Sequence, residues 1–535
     1  MKLVYFIINL WMMFCLVDPV IATTKHQLVH KKTTVTTTKK NLVAKKKVNK
    51  TIVVKKLKKN NLSAKPKVPV RSTPVTSIAS GVYGRDQLAN HLNGFINENK
   101  DSADIGVYVK SMKNGDLLYA RNIYQPLTPA STLKVLTAEA ALLFLKPEYR
   151  FSTQLLTDAK SIKDGILQGN LYIVLSGDPS LTYNDLIDLL LNLKTYQIKG
   201  IAGNIYIDGT AYDDHYFGPD WIVKDKNYCY GAPISASIIN HNCLPIRVLP
   251  SKITGQIAEV ETSPNFFYPT IRNTVVTKPN HTRACGLHFS SDLNSGIGID
   301  GCMSKGRDPF GISYVVTDIP EYNRALFGGV LNQLSVKVQG KVLFGKAPKN
   351  ISLIAYHASE PLTDLITDML KKSDNIIAGA LFKKVGQLYT QQPGSWENGS
   401  FAVSQILSKR AGVNTSRSRI LDGSGLSPSN LTTPLQMMQV LEFAYHHTPT
   451  TDAFVSALPI AGIDGTLKHR MGNIAYKVRA KTGTISGVVA LVGYVTSANR
   501  EILAFVIMIN GNKGLTWKYK EMEDNIATAL TRYKR

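Results

Sequence analysis

The chain has 535 residues, enough for two or three domains and at least one large core, and 44% of them are hydrophobic, as in ordinary globular proteins. No stretch repeats at the period of a solenoid or propeller, which excludes those architectures. The net charge of +25 overstates how basic the body is. Fifteen lysines and one arginine, with no acidic residue, fall between Thr23 and Val75.

The chain opens with Lys2 and an apolar run, Leu3 to Val17, followed by small residues around Val20-Ile21-Ala22. This is the pattern of a signal peptide over residues 1–22, with a mature start near Thr23. The run falls short of the roughly 20 residues that a spanning helix needs, and an uncleaved anchor is the alternative. Residues 23–80 form a Lys/Thr-rich linker that buries too little apolar surface to offset its ordering entropy, so disorder is expected. It reads either as a solvated spacer or as an electrostatic tether to an anionic envelope surface. Nucleic acid would suit the charge, but an exported protein rarely meets it, and no nucleic-acid partner is expected.

Folded structure is expected from residue 81. A helix over Arg85–Asn97 precedes strands Ile105–Ser111 and Asp116–Arg121, joined by the turn at Asn114-Gly115. Thr128-Pro129 has the form of an N-cap followed by proline at the first helical position. The helix after it, through Leu145, is apolar around most of its circumference and is therefore buried. From residue 158 the pattern becomes β-α-β: strand Leu167–Leu175, helix Asn184–Leu193, strand Ile201–Ile207. A loop-rich stretch follows with Cys229, Cys243, Cys285 and Cys302, an even number that suggests disulfides in an oxidising compartment, with three pairings open. A zinc site at Cys285 with His281 and His288 lacks the paired close spacing of structural sites, so no metal is expected.

Helical periodicity returns at Leu362–Leu370, Ile376–Leu388, Ala402–Ala411 and Pro434–Tyr445. Two apolar strands, Val488–Val495 and Ile502–Ile509, and a helix from Trp517 close the chain. The fold class is α+β: a catalytic domain of residues 81–157 and 351–535, in which helices flank an antiparallel sheet, interrupted by an inserted module of residues 158–350, itself divisible in two.

Three short segments carry chemistry. In Ser131-Thr132-Leu133-Lys134 the hydroxyl and the amine share a helix face. The amine serves as a base only if its pKa falls from about 10.4 toward 7, roughly 4 kcal/mol of destabilisation of the ammonium. Alone, the pattern equally describes a helix-start serine beside a solvent-reaching lysine. Ser373-Asp374-Asn375 falls between two helices, where a hydroxyl and an amide can point into one cleft or simply cap a helix. In Lys481-Thr482-Gly483-Thr484, entering the strand pair, Lys481 and Gly483 face one way and Thr482 and Thr484 the other. Gly483 would admit another backbone, and an edge strand can hold an extended peptide. A charged residue guarding a sheet edge is the plainer alternative. No G-x-S-x-G elbow and no H-E-x-x-H motif occurs.

The set S-x-x-K, S-D-N and K-T-G in this order resembles penicillin-binding proteins and serine β-lactamases. With Ser176-Gly177-Asp178-Pro179, Asp422-Gly423-Ser424-Gly425-Leu426-Ser427 and about 240 residues between Ser131 and Ser373, the chain resembles the low-molecular-mass class C penicillin-binding proteins. These are D-alanyl-D-alanine carboxypeptidase/endopeptidases of peptidase family S13, with a β-lactamase-like transpeptidase domain. The resemblance implies a serine hydrolase acting on peptidoglycan peptides through an acyl-enzyme, acylated by β-lactam antibiotics, periplasmic or otherwise exported, and needing no cofactor. It implies Ser131 as nucleophile, Lys134 as base, Ser373 and Asn375 in proton transfer and positioning, and Lys481, Thr482, Gly483 and Thr484 on the substrate. The N–H groups of Ser131 and Thr484 would form the oxyanion hole, each such donor worth about 3 kcal/mol. An acidic residue of the module would read the free amine of the stem's diamino acid, for which Asp208 is the candidate and a strand-end turn role the alternative. Where some relatives carry arginine after Gly-Leu-Ser, Pro428 stands here, which leaves the stem preference open. A non-catalytic peptidoglycan-binding scaffold and a serine β-lactamase are the other readings.

Overall fold

The computed structural model describes residues 81–98, 103–263, 270–282, 285–292, 296–511 and 514–535. The expected signal segment 1–22 and basic linker 23–80 lie outside the described residues.

The central sheet has five antiparallel strands in the order Val478–Ile485, Val488–Thr496, Ile502–Asn510, Asp104–Ser111 and Leu117–Arg121. Its middle strands read as unbroken apolar runs because both faces are covered. Ile105, Val107, Phe505 and Ile507 enter one core, closed by the helices Arg85–Asn97 and Thr516–Leu530. Tyr108, Ala504, Val506 and Met508, one residue out of phase, enter the other core with the helices Lys134–Leu145, Leu362–Lys371, Asn375–Thr390, Trp396–Ala411 and Pro434–His446. The period-2 alternation thus separates two cores across one sheet.

A second sheet runs Val342–Phe344, Ile205–Asp208, Leu171–Val174, Ser152–Thr157 and Ser352–Ala358. Its first three strands are parallel, as the β-α-β pattern requires, and its last three antiparallel. The helices Tyr183–Thr195 and Ile319–Gln333 share its core. Ser152–Thr157 pairs with Leu171–Val174 on one side and with Ser352–Ala358 on the other, so the hydrogen bonds of this sheet reach outside the boundaries drawn at 157/158 and 350/351. Ser152–Thr157 alternates buried and half-buried positions, while Ser352–Ala358 has no such alternation, and its place is set by its pairing with Ser152–Thr157.

Leu167–Leu175 is two strands, Ile166–Leu167 and Leu171–Val174, because Asn170 turns inward, its N–H and amide both donating to Asp158. Cys229 is bonded to Cys243 and Cys285 to Cys302. Among the described residues no His/Cys/Asp/Glu cluster could hold a metal, and no helix is long and apolar enough to cross a membrane.

Candidate active site

Ser131 does not sit inside a helix whose cap is Thr128. Residues Ala130–Leu133 form a 3₁₀ turn, and the α-helix begins at Lys134. Thr128 lies too far ahead of this helix to cap it and is engaged in tertiary contacts instead. Its N–H donates to Asn510 Oδ1 (2.7 Å), Asn510 Nδ2 donates back to its carbonyl (3.1 Å), and its hydroxyl donates to Pro428 O (3.2 Å). Ala130 takes a left-handed φ of 47°, a strained conformation for a residue with a Cβ, of the kind that concentrates at functional sites.

Lys134 is fully buried. Its Nζ lies 3.0 Å from Ser131 Oγ, 2.6 Å from Asn375 Oδ1 and 2.8 Å from Ser424 O. Burial pushes its pKa down from 10.5 to about 7, against the smaller pull of the carboxylates of Asp422 and Asp374. A neutral amine has two hydrogens and one lone pair. Asn375 Oδ1 and Ser424 O are acceptors only, so they take the hydrogens and leave the lone pair directed at Ser131 Oγ.

The Ser373-Asp374-Asn375 turn divides its labour. Asp374 is the cap, Oδ1 accepting from Ile376 N and Ile377 N (2.8 and 2.9 Å). That leaves Asn375, the first helical residue, to reach Lys134 with Oδ1 while Nδ2 donates to Tyr230 O (2.8 Å). Ser373, at a left-handed φ of 61°, accepts from Lys481 Nζ (2.8 Å).

Lys481 comes from the edge strand and is also fully buried, its other bond going to Thr482 O (2.7 Å). Burial, and then the charge of Lys134, holds its pKa well below the usual lysine value. Gly483 has the close neighbour expected of it: a Cβ there would lie 2.8 Å from Pro129 O and 3.2 Å from Thr132 Cγ2. Thr482 donates to Thr466 Oγ1 (2.8 Å), and Thr484 is exposed on the same edge.

Beside Ser373, Asp374 and Asn375 opens a cavity of about 610 Å³, also lined by Lys372, Tyr230 and His241. Asp208 is not brought to it. One of its oxygens accepts from Thr210 N and Oγ1 (2.9 and 2.7 Å) and the other from Ala347 N (2.8 Å), so the carboxylate is spent in a strand-end turn. Three participants escaped sequence reasoning because they act through carbonyls or through partners remote in sequence: the carbonyls of Ser424 and Tyr230, and Asp422. Asp422 is buried and accepts from Ser424 N (2.9 Å), Gly425 N (2.7 Å), Ser427 N (2.8 Å) and Trp221 Nε1 (2.8 Å).

The chain from residue 87 to 533 matches the D-Ala-D-Ala carboxypeptidase 3 (S13) family. It belongs to that family. D-alanyl-D-alanine carboxypeptidase DacB of Haemophilus influenzae is 35% identical over 415 residues, 77% of this chain and 86% of that one. D-alanyl-D-alanine carboxypeptidase of Actinomadura sp. (strain R39) is 31% identical over 449 residues, 81% of this chain and 82% of that one. The crystal structure of penicillin binding protein 4 from H. influenzae superposes with a TM-score of 0.73 at 34% identity, covering 83% of this chain and 99% of that one. The same protein complexed with a β-lactam gives 0.69 at 33% identity, covering 83% and 100%. This S13 chain is a serine-type, penicillin-binding hydrolase with the α+β fold that its sequence resembles.

Because the nearest neighbour of a Cβ at position 483 is backbone, Gly483→Ala is expected to force the edge strand away from the Ser131 segment. Denaturant unfolding of the variant should show a loss of about 1–3 kcal/mol.

Proposed function

We propose that this S13 enzyme cleaves D-Ala-D-Ala termini and the DD cross-links of peptidoglycan peptides, with Ser131 as nucleophile and Lys134 as its base. The observation that carries the reading is the Lys134 Nζ to Ser131 Oγ contact of 3.0 Å, made by a buried amine whose pKa lies at about 7. Neutral Lys134 takes the Ser131 proton as Oγ attacks the penultimate D-Ala carbonyl, and the N–H groups of Ser131 and Thr484 receive the oxyanion. The amine of the departing D-Ala, or of the cross-linked partner strand, leaves with a proton returned through Lys134 or Ser373. Water then hydrolyses the ester, using the same base. A β-lactam undergoes the same attack, but its leaving nitrogen stays tethered to the acyl group.

Among the described residues no carboxylate is bonded to Lys481, whose amine meets the Ser373 hydroxyl and the Thr482 carbonyl. The terminal carboxylate of the substrate supplies one, which restores the charged form of Lys481 against its burial. Thr482 and the Gly483 backbone complete the edge on which the peptide lies.

For the stem's free amine, the module's Asp225 replaces Asp208. Tyr230 lines the cavity, and its hydroxyl donates to Asp225 Oδ1 (2.8 Å), which places a partly exposed carboxylate one hydrogen bond from the cavity wall. We further infer export, with the basic segment 23–75 as an electrostatic tether to the envelope and with no nucleic-acid partner.

Fluorescent penicillin should label the wild type and neither Ser131→Ala nor Lys134→Ala, while both variants keep wild-type circular dichroism. Labelling of Ser131→Ala at the wild-type level would sink the nucleophile, and absence of label on the wild type would favour a non-catalytic scaffold. Rapid turnover of the penicillin with no release of D-Ala from muropeptides would favour a β-lactamase. The acylation rate should rise with pH through about 7, because the protonated amine cannot accept the Ser131 proton. A rate flat between pH 5 and 9 would remove Lys134 as base.

Asp225→Ala should raise KM about tenfold for a stem peptide with a free diamino-acid amine and leave penicillin acylation unchanged. Asp208→Ala should lower stability and not alter this selectivity. Equal KM for acetylated and free-amine peptides in the wild type would dismiss the amine site. Deleting residues 23–75 should release the protein from envelope preparations at low salt, and salt-independent retention of the full chain would discard the tether.

A further inference from the structure

The two acceptors that aim the Lys134 lone pair are each held in place by one contact from the chain between Ser131 and Ser373. Asn375 presents Oδ1 to Lys134 because Nδ2 is engaged by the carbonyl of Tyr230 (2.8 Å). With that carbonyl turned away, either end of the amide could face the amine, and an NH₂ there would repel its hydrogens. Tyr230 sits in the turn Cys229–Gly231, which the Cys229–Cys243 bridge fastens to the strand Cys243–Leu249.

The second acceptor, Ser424 O, depends on Asp422. Three of the donors to this buried carboxylate are backbone N–H groups of its own turn, Ser424, Gly425 and Ser427. Two more donors are side chains: the Ser424 hydroxyl (3.2 Å) and, from 201 residues away in sequence, the indole of Trp221. The turn has little freedom on its other side. Gly425, at φ +78°, packs so closely on the Ser131 segment that a Cβ would lie 1.8 Å from Ala130 O. Trp221 is 4% exposed and packs against Trp396 (centroids 5.6 Å apart), in the catalytic core and not in the core of the second sheet. Gly218 leaves room for the indole, since a Cβ there would lie 2.3 Å from Nε1.

We infer that the inserted module is a working part of the base, with Trp221 as a positioning residue that holds Asp422, and through it the Ser424 carbonyl, against Lys134. The inference rests on Lys134 being the base. Buried hydrogen bonds to a charged group are among the strongest in a fold, and an acceptor displaced by about 1 Å can cost on the order of 100-fold in rate. The charged groups that face Lys134 are Asp422 and Asp374, which favour its ammonium, and Lys481 across the cleft. Neutralising Asp422 therefore makes Lys134 easier to deprotonate.

The test is the pH profile of acylation by fluorescent penicillin, measured on the full chain. Trp221→Phe keeps an aromatic side chain but removes the indole N–H together with the five-membered ring that bears it, and it should lower the plateau rate roughly 10- to 100-fold. Asp422→Asn should move the acid limb to lower pH in addition to lowering the plateau. A wild-type plateau in Trp221→Phe overturns the inference. So does an Asp422→Asn variant, soluble and folded, whose acid limb stays at the wild-type position, because a purely structural loss would leave it there. If Asp422→Asn does not fold, the Trp221→Phe plateau decides alone. Normal acylation by Lys134→Ala would sink the base assignment itself, an outcome distinct from an inactive Lys134→Ala with a normal Trp221→Phe.

Discussion

An amine removed from water without a carboxylate bonded to it is the constraint around which this structure is arranged. Lys134 makes three contacts, to a hydroxyl, an amide oxygen and a carbonyl, and none of them is formally charged. An ammonium so placed is costly, and that cost is what brings the pKa to about 7. A carboxylate in direct contact would stabilise the charged form and would not suit the base role proposed for it. The nearest ones, Asp422 and Asp374, are instead occupied with backbone N–H groups, so their charge reaches Lys134 without a bond.

Meeting that constraint takes segments from across the chain. The Ser131 turn is trapped between Gly483 on the sheet edge and Gly425 in the Asp422 turn, and at both positions a Cβ would strike backbone. The left-handed Ala130 and Ser373 bend the chain on either side of the cleft. The sheet beneath them is buried on two faces, so the strained turn and the desolvated lysine rest on densely packed core strands. Preorganisation of this kind lets the site stabilise a transition state without reorganising during the reaction.

The inserted module changes meaning once it is seen in three dimensions. Its own core, around Leu190, Ile207 and Phe327, would serve a separate domain. Yet Trp221, Ala232 and Ile234 are buried in the catalytic core, and Tyr230 and His241 line the cavity. The Cys229–Cys243 bridge lies at this border, its sulfurs joining the turn that carries the Tyr230 carbonyl to a strand of a three-stranded sheet.

The sequence by itself determined the main helices, the strands of the central sheet and which residue types are available for chemistry. Period-2 and period-3.6 patterns located the sheet strands and the buried helix, and the three short motifs named Ser131, Lys134, Ser373, Asn375 and Lys481, because those signals are local and depend on residue type. What it left open needed partners. Thr128 looks like a cap until the tertiary contacts to Asn510 and Pro428 are seen, and Asp208 reads equally as an amine-binding acid or a strand-end turn residue until Ala347 and Thr210 are seen to occupy it. Only the tertiary structure decided which carbonyls meet Lys134, since a backbone oxygen has the same chemistry at every position and acquires a role only from what is folded against it.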